Sequence, residues 1–424
     1  MILEFIKRVI PYKVKVYLAN RMPNIRSRTI NILGGGKSTR NVEVQGVRFF
    51  QEFLVKTISE VKLVSDPKKY AAVFSPGIET NSGIAWYTHK LISESVNGYF
   101  FHWYSTSTSK FLEKDLDLDL LGSNFLVLPI EAFNTRMIDL FNYEHLVYML
   151  GNGETHNQTF EIAHKHPGTI VIHDLKVSSV QVSEIEAPKV KEDFAIWKFP
   201  KTAKKYVFHS KFSLEYFKLH SNVTNKECVL SSLPPPSDIK SLKRITDPQL
   251  VATYGFIGYD KEPLKVLEVF INLSNVWPNS EFAFVGPIDD ALRNIMLTRW
   301  EKAFGSSAKL TITDEVTRET WLDYMSRTKL AIQLRTNTNG ESSATISELS
   351  GVGVPTVVTN IGAFIELDDG LFLKTEKNEN ADSITVKIVA WPGLGKVNSN
   401  RLREWSRNFS YRSLAALIFN NDLR

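Results

Sequence analysis

The stretch Leu334–Phe364, LRTNTNGESSATISELSGVGVPTVVTNIGAF, decides how this chain folds. It opens on Arg335, turns through Asn337-Thr338-Asn339-Gly340 and reaches Glu341. Apolar residues at helical spacing follow, with Glu348 among them. Gly353-Val354-Pro355 then leads into the buried-strand run Thr356-Val357-Val358-Thr359. Loop, helix and strand in that order put unpaired N–H groups and a positive dipole end at the mouth of a parallel sheet. Such a mouth attracts phosphate. Arg335 and the two carboxylates supply what a nucleotide diphosphate and its ribose need. Glu341 and Glu348 are seven positions apart, about two helical turns, which predicts one shared face.

The same alternation extends in both directions. Ahead of the segment, LVATYGFIG, EFAFVGP, KLTIT and KLAIQLR read as strands; PLKVLEVFINLSNVW, ALRNIMLTRWEKAF and ETWLDYMSRT read as the helices between them. Further back, AAVFSP, YFFHWY, FLVLP, HLVYML, TIVIHD and KYVFHS are short apolar runs of strand type, with IAWYTHKLISESV as a helix. Between the two series stands Leu233-Pro234-Pro235-Pro236-Ser237, a stiff linker. The expected fold class is α/β, with two doubly wound parallel sheets and ligands in a cleft at their strand ends. The predicted divisions are a basic extension (1–65), a first Rossmann-like domain (66–236), a second one (237–400) and a C-terminal helix (401–424) packing back on the first.

With 424 residues and 43% apolar content, the chain is long enough for two cores. Cys228 is its single cysteine, so no intramolecular disulfide forms, in keeping with a reducing compartment. No run reaches the roughly 18–20 apolar residues that span a bilayer. Charges interrupt every apolar stretch near the start, so a signal peptide is not expected. Residues 1–40 hold nine Lys or Arg against one acid, Glu4, while the whole chain has a net charge of +5. Basic residues interleaved with Ile2, Phe5, Ile6, Val9 and Ile10 suit an anionic leaflet, which gives a peripheral membrane contact as an expectation. Nucleic acid is not expected as a partner.

Two motifs fail on inspection. Gly34-Gly35-Gly36-Lys37-Ser38-Thr39 ends like a P-loop but has Asn31 where the pattern needs its first glycine. Asp115-Leu116-Asp117-Leu118-Asp119 contains Asp-x-Asp, yet leucine and aspartate in alternation mark an edge or turn. No His/Cys cluster has zinc spacing, and no metal is expected.

The remaining candidates sit at strand ends. Lys261 follows the first strand of the second series and reaches toward Arg335; two cations there would stabilise a departing diphosphate. Gly83 lies at a strand-to-helix turn, where a missing side chain admits a ligand to the backbone. Asn152 and His156 follow HLVYML, and His173-Asp174 end TIVIHD, placed to contact phosphate, sugar or an acceptor hydroxyl.

In combination these segments resemble a retaining glycosyltransferase with the GT-B fold, of the large family 4 group, over roughly Tyr70 to Phe419. SPGIETNSGIAWYTHKL resembles that group's first glycine loop and helix; YMLGNGETH and HPGTIVIHDL resemble stretches of a polysaccharide and O-antigen branch. LPPPSD resembles the interdomain linker, YGFIGYDKEPLKVLEVF and FVGPID the start of the second domain, and Leu334–Phe364 the donor site.

The resemblance implies a cytoplasmic enzyme moving a sugar from a nucleotide donor to a glycan or lipid-linked acceptor. It implies retention and no cofactor beyond the nucleotide sugar. Lys261 and Arg335 match the basic pair, Glu348 matches the second glutamate of the Glu-x7-Glu motif, and Gly340 stands where the first belongs, with Glu341 one residue later. Carried over, the donor residues are Gly83, Gly258, Lys261, Arg335, Glu341, Ser342, Ser343 and Glu348. The acceptor side has Asn152, His156 and His173, and the catalytic set is Lys261, Arg335, His173 and Glu341. The sequence leaves two other readings open: an epimerase or phosphorylase of the same fold, and a non-catalytic scaffold subunit.

Overall fold

A computed structural model describes residues 69–77, 80, 82–95, 98–106, 125–182, 194–221, 223, 227–305 and 310–419. The basic segment 1–65, the glycine-lysine motif at 34–39 and the Asp-x-Asp run at 115–119 lie outside the described residues.

The first sheet holds β1 (Lys69–Ser75), β2 (Tyr99–Ser105), β3 (Phe125–Pro129), β4 (His145–Leu150), β5 (Thr169–Ile172), β6 (Lys205–Phe208) and β7 (Glu227–Leu230). Their spatial order is β3-β2-β1-β4-β5-β6-β7. The second holds β8 (Leu250–Tyr254), β9 (Glu281–Val285), β10 (Leu310–Ile312), β11 (Thr328–Gln333), β12 (Thr356–Thr359) and β13 (Phe372–Thr375), in the order β10-β9-β8-β11-β12-β13. Both run third, second, first, fourth, fifth, the doubly wound order, and the pairings around β1 and β8 are parallel. The α/β class expected from the alternation is the one the chain adopts.

The helices are α1 (Gly83–Ser93), α2 (Thr135–Phe141), α3 (Asn157–Lys165), α4 (Lys211–His220), α5 (Ser237–Ser241), α6 (Pro263–Val276) and α7 (Asp290–Phe304). After them come α8 (Arg318–Arg327), α9 (Ala344–Val352), α10 (Ala381–Ala390), α11 (Lys396–Arg407) and α12 (Tyr411–Phe419). None of the described helices is long and apolar enough to cross a membrane. The chain divides into two compact units: residues 1–171, 179–185 and 200–204, and residues 172–178, 186–199 and 205–424. The second unit thus contains β6 and β7 as well as the whole second sheet.

Strand periodicity explains each core. In the first sheet Phe74 stands in register with Tyr104 and Tyr148, and its ring stacks on theirs at 5.1 and 4.8 Å. Aromatic pairs across neighbouring strands add to what area burial alone supplies. In the second sheet alternate residues of β8 go to opposite faces. Val251 packs with Val266, Phe270 and Met296 of α6 and α7, while Ala252 and Tyr254 pack with Met325 of α8 and Leu349 and Val352 of α9. A strand covered on both faces reads as a continuous apolar run, as LVATY does.

Helix α9 is set by its ends. Ser343 accepts the Ile346 N–H as N-cap, and Gly353, at φ +80°, closes the helix with its N–H on the Leu349 and Ser350 carbonyls. A left-handed C-cap favours glycine, and here a Cβ would also stand 2.5 Å from the Ser399 carbonyl oxygen. The last segment is two helices rather than one continuous run: Ser410 accepts the Ser413 N–H at 3.1 Å and starts α12 anew. In the second unit, Lys205 of β6 donates to the Leu417 carbonyl of α12 at 3.1 Å.

Candidate functional site

Open parallel sheets bind ligands outside the carboxyl ends of their strands, where the strand order reverses. In the second sheet that place lies between β8 and β11. Lys261 ends the loop after β8 and Arg335 lies in the loop after β11, two residues past Gln333. The loops are tied together, since Thr336 donates its N–H to the Asp260 carbonyl at 2.8 Å.

Glu262, next to Lys261, has φ +50°, a left-handed conformation rare for a residue with a side chain, ahead of Pro263, the first residue of α6. The Lys261 ammonium lies over Gly255, where a Cβ would stand 2.7 Å from Nζ and 3.7 Å from Thr345 Oγ1 in the first turn of α9. Gly255 has φ +95°, so both conformation and space call for glycine. Nζ donates to the Tyr254 carbonyl at 3.4 Å. Burial, and then the Arg335 charge, push the ammonium down to about 8, with Asp260 acting the other way.

Arg335 is 16% exposed, and its guanidinium carbon stands 4.9 Å from the centre of the Phe364 ring. Burial lowers its pKa, opposed by Asp260 and Asp174. It forms an ion pair with Glu341, itself 17% exposed, whose other oxygen accepts the Asn339 N–H at 2.6 Å. Glu341 precedes the N-cap Ser343, so it lies outside α9, and the shared helical face expected for Glu341 and Glu348 does not form.

The turn ahead of α9 is anchored within its own unit. The Asn339 carbonyl accepts the N–H groups of Leu175 (2.8 Å) and Lys176 (3.0 Å). The Gly340 carbonyl accepts the Ser213 hydroxyl, and Ser342 donates to the His209 carbonyl at 2.9 Å. These bonds bring the His173-Asp174 loop to the turn. The His173 and His209 rings are 5.5 Å apart. His209 gives its Nδ1–H to the Ser231 carbonyl at 2.8 Å, and burial pushes its pKa down to about 4. Gly258 lies in the Lys261 loop, where a Cβ would stand 2.5 Å from Asp260 Oδ1.

Glu348 is held otherwise. Both its oxygens accept from Arg318 Nη1 (3.0 and 2.9 Å), and Trp321 Nε1 donates to one at 2.7 Å. Arg318 also grips Asp238, in the helix after the proline linker, at 2.9 and 3.0 Å. Burial opposes the Arg318 charge, but the two carboxylates outweigh it and hold its pKa above the usual arginine value.

Gly83, Asn152 and His156 belong to the first unit, at the corresponding reversal between β1 and β4. Gly83 opens α1 after the N-cap Ser82, with open space where a Cβ would be. Asn152 accepts the Ser179 N–H at 3.0 Å. His156 is buried, gives its Nδ1–H to the Met149 carbonyl at 3.1 Å, and is pushed down to about 4 by burial. Sequence reading missed Phe364, Arg318 and Trp321.

No protein-family model matches the chain, and no curated protein does. Solved structures do. WaaG, a glycosyltransferase of lipopolysaccharide biosynthesis, superimposes with a TM-score of 0.59 at 12% identity, over 83% of this chain and all (100%) of its own. Sucrose-phosphate synthase from Thermosynechococcus elongatus gives 0.58 at 13%, over 82% and 97%. HepE from Anabaena, solved with UDP and glucose, gives 0.53 at 13%, over 83% and 95%. The fold is GT-B. At these identities the likeness extends to the fold alone.

Proposed function

We propose that the chain is a retaining glycosyltransferase that moves a sugar from a nucleotide-sugar donor to a glycan or lipid-linked glycan in surface polysaccharide assembly. One observation carries the reading: Lys261 and Arg335, both largely withdrawn from water, meet at the strand-order reversal of the second sheet, beside the first turn of α9. Two cations and a helix N-terminus there match a diphosphate, whose charge grows as it departs. The fold shared with WaaG and HepE is consistent with that use.

In this reading the acceptor oxygen bonds to the anomeric carbon, the bond from that carbon to the diphosphate breaks, and the electron pair leaves on the phosphate oxygen. That oxygen takes the acceptor proton, so no side-chain base is needed. Lys261, Arg335 and the amides of α9 take up the charge in place of a metal. Ser342 and Ser343 shape the turn over the phosphates, and His173 sits beside the same turn to position sugar or acceptor. Asn152 and His156 serve the acceptor side. Residues 1–40 rest on an anionic membrane surface that presents the acceptor.

A thermal-shift screen with UDP, GDP and dTDP sugars tests the proposal. A true donor at a hundred times its Kd stabilises the fold by about 2.7 kcal/mol through mass action. No response to any of them at millimolar concentration would sink it.

A further inference from the structure

The cationic seat is already occupied by a group of the chain itself. Arg335 pairs directly with Glu341, and the two side chains are 16% and 17% exposed. Asp260 and Asp174 act on the Arg335 charge as well, but the contact belongs to Glu341. Its second oxygen is held by neutral donors only, the Asn339 N–H at 2.6 Å and the Thr338 hydroxyl at 3.5 Å. Because α9 begins at Ala344 under its own cap, Glu341 can leave Arg335 without breaking a helical turn. Among the described residues Lys261 is in no ion pair; Asp260 acts on both cations, but the carboxylate in contact with one of them is Glu341.

We propose that Glu341 is the resident anion of this seat, displaced from Arg335 when the donor's diphosphate arrives and restored to it as the nucleoside diphosphate leaves. The inference rests on the donor-site reading above. A diphosphate carries more charge than one carboxylate and reaches Lys261 and Arg335 together, so it wins the exchange. The exchange lowers affinity for every anion that binds there, and the returning carboxylate speeds release of the spent nucleotide. Glu341 thus sets how tightly product is retained, a role separate from reading the sugar.

The test is isothermal titration of the full chain with inorganic pyrophosphate and, separately, with UDP, comparing wild type with Glu341→Gln. The amide keeps an acceptor for the Asn339 N–H while removing the charge. Removing a competing charge at contact distance should tighten pyrophosphate and UDP binding by about tenfold or more. Glu341→Ala should tighten both in the same direction, and Glu341→Asp should leave them near wild type. Thermal melts confirm that each variant is folded. If wild type binds UDP and both neutral variants bind pyrophosphate equally or more weakly, the resident-anion role is overturned while the donor site stands. If neither wild type nor variants bind any of these anions, the donor-site reading falls and takes this one with it.

Discussion

The two sheets reverse their strand order at corresponding places and furnish them in opposite ways. After β1 and β4 stand Gly83, Asn152 and His156, none carrying charge at neutral pH. Asn152 is held by the Ser179 N–H, and His156 is buried and kept neutral. After β8 and β11 stand two cations drawn out of water, with Glu341 against one of them. Topology supplies both places, but of the two, among the described residues, the second holds the cations that the proposed reaction would use. Fold marks where chemistry is possible, and residues decide whether it occurs there.

The largest test of that contrast is catalytic. With a donor in hand, Lys261→Ala and Arg335→Ala should each lower kcat/KM by about two to three orders of magnitude, the usual effect of removing one charge-stabilising donor. His156→Gln, in the turn after β4, should cost less than about tenfold. Initial rates over a donor series read both. A His156 variant as damaged as the Lys261 one would erase the distinction between the two places.

Much of this was legible in the sequence because parallel strands covered on both faces are apolar throughout. HLVYML and LVATY announce β4 and β8 that way. By contrast β7, ECVL, is an edge strand whose four residues are partly or fully exposed, and it carries no such signal. The start of α9 was misread because Asn337, Thr338, Asn339, Ser342 and Ser343 are all acceptable caps. Only the anchoring of the turn by Leu175, Ser213 and His209 selects Ser343. Arg318 was invisible for another reason: its partners Glu348 and Asp238 lie 30 and 80 positions away, and no local pattern reports such a contact.

That contact gives the next test. Arg318→Ala would leave the Glu348 and Asp238 carboxylates without their shared cation. Stranding a fully buried partner costs about 3–5 kcal/mol, and the 36% exposure of Arg318 scales this to about 2 kcal/mol. Trp321→Phe, which removes one hydrogen bond to Glu348, should cost about 1 kcal/mol. Urea titrations measure both. If Arg318→Ala loses stability but keeps its UDP affinity, Glu348 braces the second unit rather than reading the ligand. If UDP affinity falls while pyrophosphate affinity holds, Glu348 reads the nucleoside.

The smallest effect separates the two places by pH. The folded pKa of Lys261 is depressed to about 8 from 10.5, so the folded chain binds fewer protons than the unfolded one between those values. Stability of the ligand-free protein should therefore rise with pH across that window, because the buried ammonium is being discharged. Donor affinity should move the other way: a diphosphate needs the ammonium, so binding weakens as pH climbs past about 8 and is accompanied by proton uptake there. His156, depressed to about 4 from 6.5, follows the same rule lower on the scale. It favours the fold above 6.5 and withdraws that support as pH falls toward 4. Calorimetric donor titrations at pH 6.5, 7.5 and 8.5, in buffers of different ionisation enthalpy, isolate the Lys261 part, since His156 does not titrate in that range. An affinity that stays flat across these three values, with no proton uptake at the highest, would remove Lys261 from the seat and leave Arg335 to hold the anion alone.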